Sequence, residues 1–416
     1  MSNPSNTDPT TENGLTEIPK TTKRWVIRNF TGPDGLEMED APIPELGPND
    51  VLVKLSAASL NYRDLVMARG AYPWALPPPD TPIVPTSDGA GTVVARGTHV
   101  RSLRPGDAVA TVMNGDHQFG ALKPQHLERV LGGSLPGCLA EYQVFPETYL
   151  IPLPTNLDFL EGSTLACAAL TAWDALFGLE GKPVRPGQWV VTQGSGGLAK
   201  AAGAKVIATT SSDKKAQRLR DLGADHVINY KDVPDWGKKA KELTPGQEGV
   251  DLVVDVGGAP TVKQSLESVK QGGIVALVGF RGGNSDDQPK LMDMFFHFCI
   301  VRTVFVGPRT QYEEMNRVIE AQKIKPAIDE RVFEFGDARD AFKYMETQQH
   351  FGKECDIIGE SLPTTMISAN FAPVVTKGPG VGCTVMKPAD YLNEPVNQMG
   401  YHFSKGKGGG VGCTVM

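Results

Sequence analysis

A glycine-rich turn in the middle of the chain has the clearest chemical signature. A short apolar run that begins at Trp189 leads into the four residues of this turn, Gly194, Ser195, Gly196 and Gly197. A second apolar run follows at 206–210. Glycines let the backbone approach a pyrophosphate, and the N-terminus of a following helix attracts its negative charge. The pattern therefore predicts the first βαβ unit of a dinucleotide-binding domain.

The crossover between these two runs is unusually short. It has eleven residues, 194–204, which is at the lower limit of about 10–12 for a whole βαβ crossover. A helix over 198–202 would rise only ~7.5 Å, whereas the return along a strand of five or six residues requires ~17–20 Å. We therefore expect the first helix to be truncated and either unwound or accompanied by shifted strand pairing. Either change would weaken the phosphate site and impair activity.

The residues after the second run bear on which dinucleotide binds. An acidic residue at the end of this strand would hold the ribose 2′-hydroxyl of NAD. Here the chain instead places hydroxyls and lysines, with one acid among them: Ser211, Ser212, Asp213, Lys214 and Lys215. This composition favours the 2′-phosphate of NADPH over NADH. The alternative is that the two lysines only form the first exposed turn of a helix.

Two sequence patterns divide the chain and predict an α/β fold. Short alternating strands between Pro and Gly turns occupy 24–152, and strands alternate with helical segments from about 153 onward. Such alternation predicts a parallel, doubly wound sheet. The predicted strands of this part are 189–193, 206–210, 227–228, 251–255, 274–279 and 301–306. The predicted helices are 214–222, 235–243, 261–270, 311–322 and 337–348.

Composition excludes several classes of function. The net charge of −7 argues against a nucleic-acid partner, so we expect a small-molecule substrate. The six cysteines form no CxxC pair, which favours a reducing compartment, and no apolar run is long enough to span a bilayer. With no N-terminal signal-peptide pattern, these features predict a cytoplasmic protein.

Six ordered stretches carry a family resemblance. They read ASLNYRD at 58–64, SDGAG at 87–91, RPGD at 104–107, LTAW at 170–173, LGADHVINY at 222–230 and VGF at 278–280. Residues 24–360 resemble the medium-chain dehydrogenase/reductase superfamily, and most of all its zinc-independent, quinone-oxidoreductase-like branch of zinc-type alcohol dehydrogenase-like proteins. The resemblance implies an oxidoreductase that transfers hydride between a nicotinamide cofactor and an alcohol or carbonyl, an enone or a quinone.

The same resemblance implies a GroES-like β-barrel catalytic domain beside a Rossmann domain, with the active site in the cleft between them; a homodimer is an expected assembly. The predicted segments are a disordered N-terminus (1–23), the GroES-like domain (24–152), the Rossmann domain (153–310), a return to the catalytic domain (311–360) and a disordered tail (361–416).

The resemblance also assigns site residues. Asn61 and Tyr62 match a segment that faces the nicotinamide. Asn61 would hydrogen-bond a substrate carbonyl or the cofactor ribose, and Tyr62 would donate a hydrogen bond or a proton. Arg63 and Asp64 are expected to form an ion pair that sets this loop. The residues assigned to the cofactor pocket and to the turns around the nicotinamide are Lys215, Tyr230, Gly257, Gly279 and Phe280.

Zinc is not expected. A catalytic zinc needs three protein ligands and one open position. Zinc-dependent relatives carry a Cys where this chain has Asn61, and a His-Glu pair where it has Ser87 and Asp88. The loop around 110–135 also lacks the four cysteines of a structural zinc site.

The last four residues form a CaaX box, Cys413-Thr-Val-Met416, which predicts farnesylation of Cys413 and membrane contact through the lipid. The heptapeptide GVGCTVM occurs at both 380–386 and 410–416, and resembles repeats in precursors of fungal lipopeptide pheromones. Three interpretations follow: an unrelated reading frame fused to a reductase, a lipid-anchored reductase, or a catalytically impaired precursor whose tail carries the function.

Overall fold

The computed structural model describes residues 18–74, 81–194, 196–283 and 285–358. The predictions made for Ser195 and for the tail with Cys413 lie outside the described residues. Among the described helices, none combines the length and the apolar character that crossing a membrane requires.

Each strand and helix that the sequence predicts from residue 189 onward has a counterpart, and the structure adds several helices that were not predicted. The strands are β1 (Thr21–Ile27), β2 (Leu36–Pro42), β3 (Asp50–Leu60), β4 (Asp88–Arg96), β5 (Ala108–Thr111), β6 (Tyr142–Pro146), β7 (Leu150–Pro152), β8 (Trp189–Thr192), β9 (Lys205–Thr210), β10 (His226–Asn229), β11 (Val250–Asp255), β12 (Val269–Leu277), β13 (Ile300–Thr303), β14 (Ile328–Glu334) and β15 (Lys353–Ile357). The helices are α1 (Tyr62–Ala68), α2 (Phe159–Gly162), α3 (Leu170–Phe177), α4 (Gly196–Ala201), α5 (Asp213–Asp221), α6 (Trp236–Glu242), α7 (Val262–Ser268), α8 (Leu291–His297), α9 (Arg309–Gln322) and α10 (Ala338–Glu346).

The first sheet is mostly antiparallel. Within the described residues it has seven strands, in the order β14-β15-β3-β4-β5-β7, with β6 paired to β3. Strands β14 and β15 come from the C-terminal part of the chain, and β15 pairs antiparallel with β3. The last described strand, β15, therefore lies beside β3, which leads directly into Asn61.

The second sheet is the predicted doubly wound one. Six described strands run parallel in the order β10-β9-β8-β11-β12-β13. Its faces are both apolar: Val190 and Val206 belong to the core on one side, and Val191 and Ile207 to the core on the other. Burial on both faces is what a parallel sheet covered by helices requires. The α/β class and the six predicted strands of this sheet are confirmed.

The first crossover differs in part from the prediction. The helix α4 is truncated to six residues, as predicted, but it is not unwound. The expected shift in strand pairing is also wrong, because β8 and β9 pair in parallel from Trp189 and Lys205 to Thr192 and Ala208. The reason is the length of β8. A strand of four residues spans only ~10 Å. A helix of six residues rises ~9 Å, which is enough to carry the chain back along the length of this strand.

Candidate active site

A large cleft lies between the two sheets. Its volume is about 2250 Å³, and it is lined from the side of the first sheet by Asn61 and Tyr62. The other wall is made by the turns that follow the parallel strands. The predicted residues that line this wall are Gly194, Gly196, Gly197, Ser211, Lys215, Tyr230, Gly257, Gly279 and Phe280. The structure therefore brings the predicted catalytic and cofactor residues into one cavity, with Ser212 as the exception among the described ones.

The loop of Asn61 is held by a buried carboxylate. The backbone N–H of Asn61 donates to Asp64 Oδ2 at 2.8 Å, and this contact begins α1. The guanidinium of Arg63 donates to Asp64 Oδ1 at 3.1 Å, which confirms the expected ion pair. Burial raises the pKa of Asp64 to about 6, because it disfavours the charged form. Burial alone would lower the pKa of Arg63, but the neighbouring Asp64 carboxylate raises it above its usual value.

Two aromatic rings connect the walls of the cleft. The rings of Tyr62 and Phe280 meet edge to face, with centroids 6.5 Å apart and planes at 67°. This is a favourable arrangement for two aromatic side chains. Phe280 follows the turn after β12, where Gly279 is required, because a Cβ there would lie 2.7 Å from the carbonyl oxygen of Val256.

Gln193 is a site residue that the sequence analysis missed. Its side-chain Oε1 accepts hydrogen bonds from the backbone N–H groups of Val256 at 2.9 Å and Gly257 at 2.8 Å. The turn after β8 is thereby tied to the turn after β11. Among the described residues, Gln193 Nε2 is buried and has no partner. The next residue, Gly194, has a φ of +131° and open space where a Cβ would lie. A buried donor beside an open glycine turn fits the polar groups of a dinucleotide.

The far end of the cleft is cationic. Lys215 and Arg281 both line it, and burial, assisted by the charge of Arg281, lowers the pKa of Lys215. The ammonium of Lys215 donates to the backbone carbonyl of Gln348 at 2.8 Å. Ser211 and Tyr230 line the same region, whereas the hydroxyl of Ser212 accepts from the backbone N–H of Lys215 and caps α5. Arg281 was not predicted from the sequence.

Comparison with known proteins identifies the family. The alcohol dehydrogenase GroES-like domain matches residues 47–155, and the zinc-binding dehydrogenase domain matches residues 191–321. A zinc-type alcohol dehydrogenase-like protein of Schizosaccharomyces pombe is 38% identical over 342 residues, which cover 79% of this chain and 97% of that protein. The chain belongs to the medium-chain dehydrogenase/reductase superfamily. It is a zinc-type alcohol dehydrogenase-like oxidoreductase of that superfamily, and the predicted GroES-like and Rossmann parts are confirmed.

Two further relatives support this placement in the superfamily. An NADPH-dependent alkenal/one oxidoreductase of Arabidopsis thaliana is 32% identical over 350 residues, covering 81% of this chain and 79% of that protein. The solved structure of an NAD-dependent alcohol dehydrogenase is 32% identical, covers 81% of this chain and 100% of that one, and superposes with a TM-score of 0.71.

The donor set at the catalytic loop of this oxidoreductase does not fit a zinc ion. Three described groups, the carbonyl of Leu60, Asn61 Oδ1 and Asp88 Oδ2, surround the ammonium of Lys353 at 2.9, 2.5 and 3.5 Å. A cation of the chain itself thus lies between the side chains of Asn61 and Asp88, two of the positions where the family resemblance would place zinc ligands. In the described part of the chain, no three His, Cys, Asp or Glu side chains are grouped to hold a metal. The expected absence of zinc stays a prediction.

Proposed function

We propose that this oxidoreductase transfers hydride between NADPH and an oxygen-bearing substrate, namely an alcohol or carbonyl, an enone or a quinone. The observation that carries the proposal is the shared cleft. Asn61 and Tyr62 lie on one wall, the glycine turns at Gly194 and Gly279 lie on the other, and Phe280 contacts Tyr62. A carbonyl, an enone and a quinone each have an oxygen that gains negative charge when hydride arrives, and an alcohol gives up hydride in the reverse direction.

The preference for NADPH over NADH follows from charge. Lys215 and Arg281 place two cations at one end of the cleft, with the hydroxyls of Ser211 and Tyr230 beside them. Cations and hydroxyls are the groups that bind a phosphate well. The name of the Arabidopsis relative specifies NADPH, whereas the name of the solved alcohol dehydrogenase specifies NAD. The two cations of this chain therefore support NADPH rather than NADH as the cofactor.

Reduced nicotinamide, when bound, supplies the hydride to the electrophilic carbon of the substrate. The electron pair of the substrate's π bond moves toward its oxygen, where Asn61 Nδ2 donates a hydrogen bond to the developing charge. The hydroxyl of Tyr62 delivers the proton that neutralises this oxygen and recovers a proton from water. In the reverse direction, an alcohol gives up the same proton and hydride.

Fluorescence titration of the full-length protein with NADPH and NADH tests the cofactor assignment. We expect both to bind, with NADPH at least ~10-fold tighter, because a charged hydrogen bond contributes about 1.5–3 kcal/mol. Turnover is then measured as NADPH consumption with one aldehyde, one enone and one quinone. Binding of neither cofactor would overturn the proposal, and binding without turnover of any substrate class would overturn its catalytic part.

A further inference from the structure

The ammonium of Lys353 has a defined position at the floor of the cleft. Its side chain is 14% exposed, and it donates to the carbonyl of Leu60 at 2.9 Å and to Asn61 Oδ1 at 2.5 Å. The preceding Gly352 has a φ of +85°, and a Cβ there would lie 2.3 Å from the carbonyl oxygen of Ala327. The start of β15 is therefore fixed close to Ala327, to which the backbone N–H of Lys353 donates at 2.9 Å.

The contact with Lys353 leaves one half of the Asn61 amide unpaired. Asn61 is 8% exposed, and its Nδ2 is buried and has no partner among the described residues. Its backbone N–H is already bound to Asp64, so the loop cannot turn freely. Because an ammonium can only donate, it holds the oxygen of the amide and leaves the N–H₂ group as the available donor. A buried donor without a partner, at the wall of a cavity, indicates an acceptor supplied by a ligand.

A buried carboxylate balances the charge of Lys353. Asp88 Oδ2 lies 3.5 Å from the ammonium and accepts from the backbone N–H of Cys167 at 3.2 Å. Asp88 Oδ1 accepts from the hydroxyl of Ser87 at 2.6 Å. Asp88 is completely buried, and both of its oxygens are occupied by these contacts. The ammonium of Lys353 therefore lies among three protein acceptors, the carbonyl of Leu60, Asn61 Oδ1 and Asp88 Oδ2.

We propose that Lys353 is a positioning residue for the reaction. It fixes the Asn61 amide so that Nδ2 donates to the substrate oxygen, and its charge strengthens that donation. The proposal rests on the proposed function, since it says how the Asn61 amide is held so that it can donate to the substrate oxygen in that reaction. The charge of Lys353 thus helps to stabilise the substrate oxygen, at a place where the sequence offers poor zinc ligands.

A double-mutant cycle tests this role. Lys353→Met removes the charge and keeps an unbranched side chain, and Asn61→Ala removes the donor. If Lys353 acts through Asn61, each change lowers kcat by about 100-fold, as loss of an oxyanion donor does, and the double variant falls no further. Lys353→Arg should recover part of the rate, and the NADPH dissociation constant should stay within ~3-fold. Lys343→Met is the matched control, because Lys343 is exposed and pairs with Asp34 away from the cleft.

A binding cycle keeps the test independent of turnover. The probe is acetamide, an unreactive carboxamide, titrated into the protein–NADPH complex and followed by cofactor fluorescence. We expect Asn61→Ala and Lys353→Met each to weaken its binding ~10-fold, with no further loss in the double variant. Asn61→Asp, which keeps an oxygen for Lys353 but lacks the N–H₂ donor, should weaken it equally.

Additive losses in the binding cycle, unchanged binding in Lys353→Met, or no binding of acetamide to the wild-type complex would each overturn the role of Lys353. Absence of turnover with every substrate class would instead overturn the proposed function, and the binding cycle would still decide the role of Lys353. The two failures are therefore distinguishable.

Discussion

Lys215 of helix α5 donates a hydrogen bond to the backbone carbonyl of Gln348 at 2.8 Å, at the cationic end of the cleft. The helix after the second parallel strand is thereby joined to the segment that leads into β15. A nearby contact has the same effect: the guanidinium of Arg218 lies over the ring of Phe351, 4.3 Å from its centroid. The cation assigned to the 2′-phosphate therefore also contacts the opposite wall of the cleft.

The neighbouring lysines of α5 give the sharpest test of the cofactor preference. Lys215→Ala should weaken NADPH binding by about 10- to 100-fold, the value of one charged hydrogen bond, and leave NADH binding nearly unchanged. Lys214→Ala is the matched control, because Lys214 is exposed and does not line the cleft. Fluorescence titration measures both constants. If Lys215→Ala weakens NADPH and NADH binding by the same factor, Lys215 does not bind the 2′-phosphate.

Ser211 and Ser212 should have separate roles. Ser212 caps α5, so Ser212→Ala should lower the free energy of unfolding by ~1 kcal/mol, as measured by urea denaturation. Ser211 lines the cleft, so Ser211→Ala should weaken NADPH binding and leave stability within ~0.5 kcal/mol. The opposite pattern, with binding lost in Ser212→Ala and stability lost in Ser211→Ala, would contradict this assignment.

Gly197 tests whether the glycine turn approaches the cofactor. Apart from its chain neighbours and its own helix backbone, no described residue has an atom within 4 Å of where a Cβ at this position would lie. Gly197→Ala should therefore raise the free energy of unfolding slightly, by ~0.5 kcal/mol, while weakening NADPH binding more than 10-fold if the pyrophosphate occupies that space. Gly336→Ala, equally open and away from the cleft, serves as the control. Undiminished NADPH affinity in Gly197→Ala would place the pyrophosphate elsewhere.

Asp64 makes stability depend on pH. Its pKa is raised from 3.8 to about 6 in the folded protein, because burial disfavours the charged carboxylate. The unfolded chain therefore loses this proton first, and the free energy of unfolding should fall as pH rises from about 4 to 6, by ~2 kcal/mol. Asp64→Asn should flatten this slope, and Asp107→Asn, at an exposed position, should keep it. Identical slopes in Asp64→Asn and wild type would refute the contribution of Asp64.

Local patterns in the sequence predicted the parallel sheet well. Alternation of apolar strands with helical segments placed β8 to β13 within a few residues of their observed bounds. The prediction of an unwound first helix or a shifted strand pairing was wrong, because it assumed a strand of five or six residues where β8 has four. The cap at Ser212 could have been predicted, since a serine directly before a helix is a common N-cap.

Lys353 and Arg281 could not be predicted in the same way. Lys353 contacts Asn61 across 292 residues of sequence, and the contact exists only because β15 pairs with β3. Arg281 follows β12 and Lys215 lies in α5, and the charge of Arg281 contributes to lowering the pKa of Lys215. Contacts of this kind depend on sheet topology, which local periodicity does not encode.

Hydride transfer from NADPH is the central claim, and isotope transfer measures it most directly. The full-length protein is incubated with NADPH deuterated at the transferred position and with the aldehyde and the enone in turn, whose reduced products keep the label on carbon, and the products are examined by mass spectrometry. The account predicts one deuterium per reduced molecule for at least one substrate class, with a rate about 100-fold lower in Asn61→Ala. Products without deuterium, or an unchanged rate in Asn61→Ala, would contradict it.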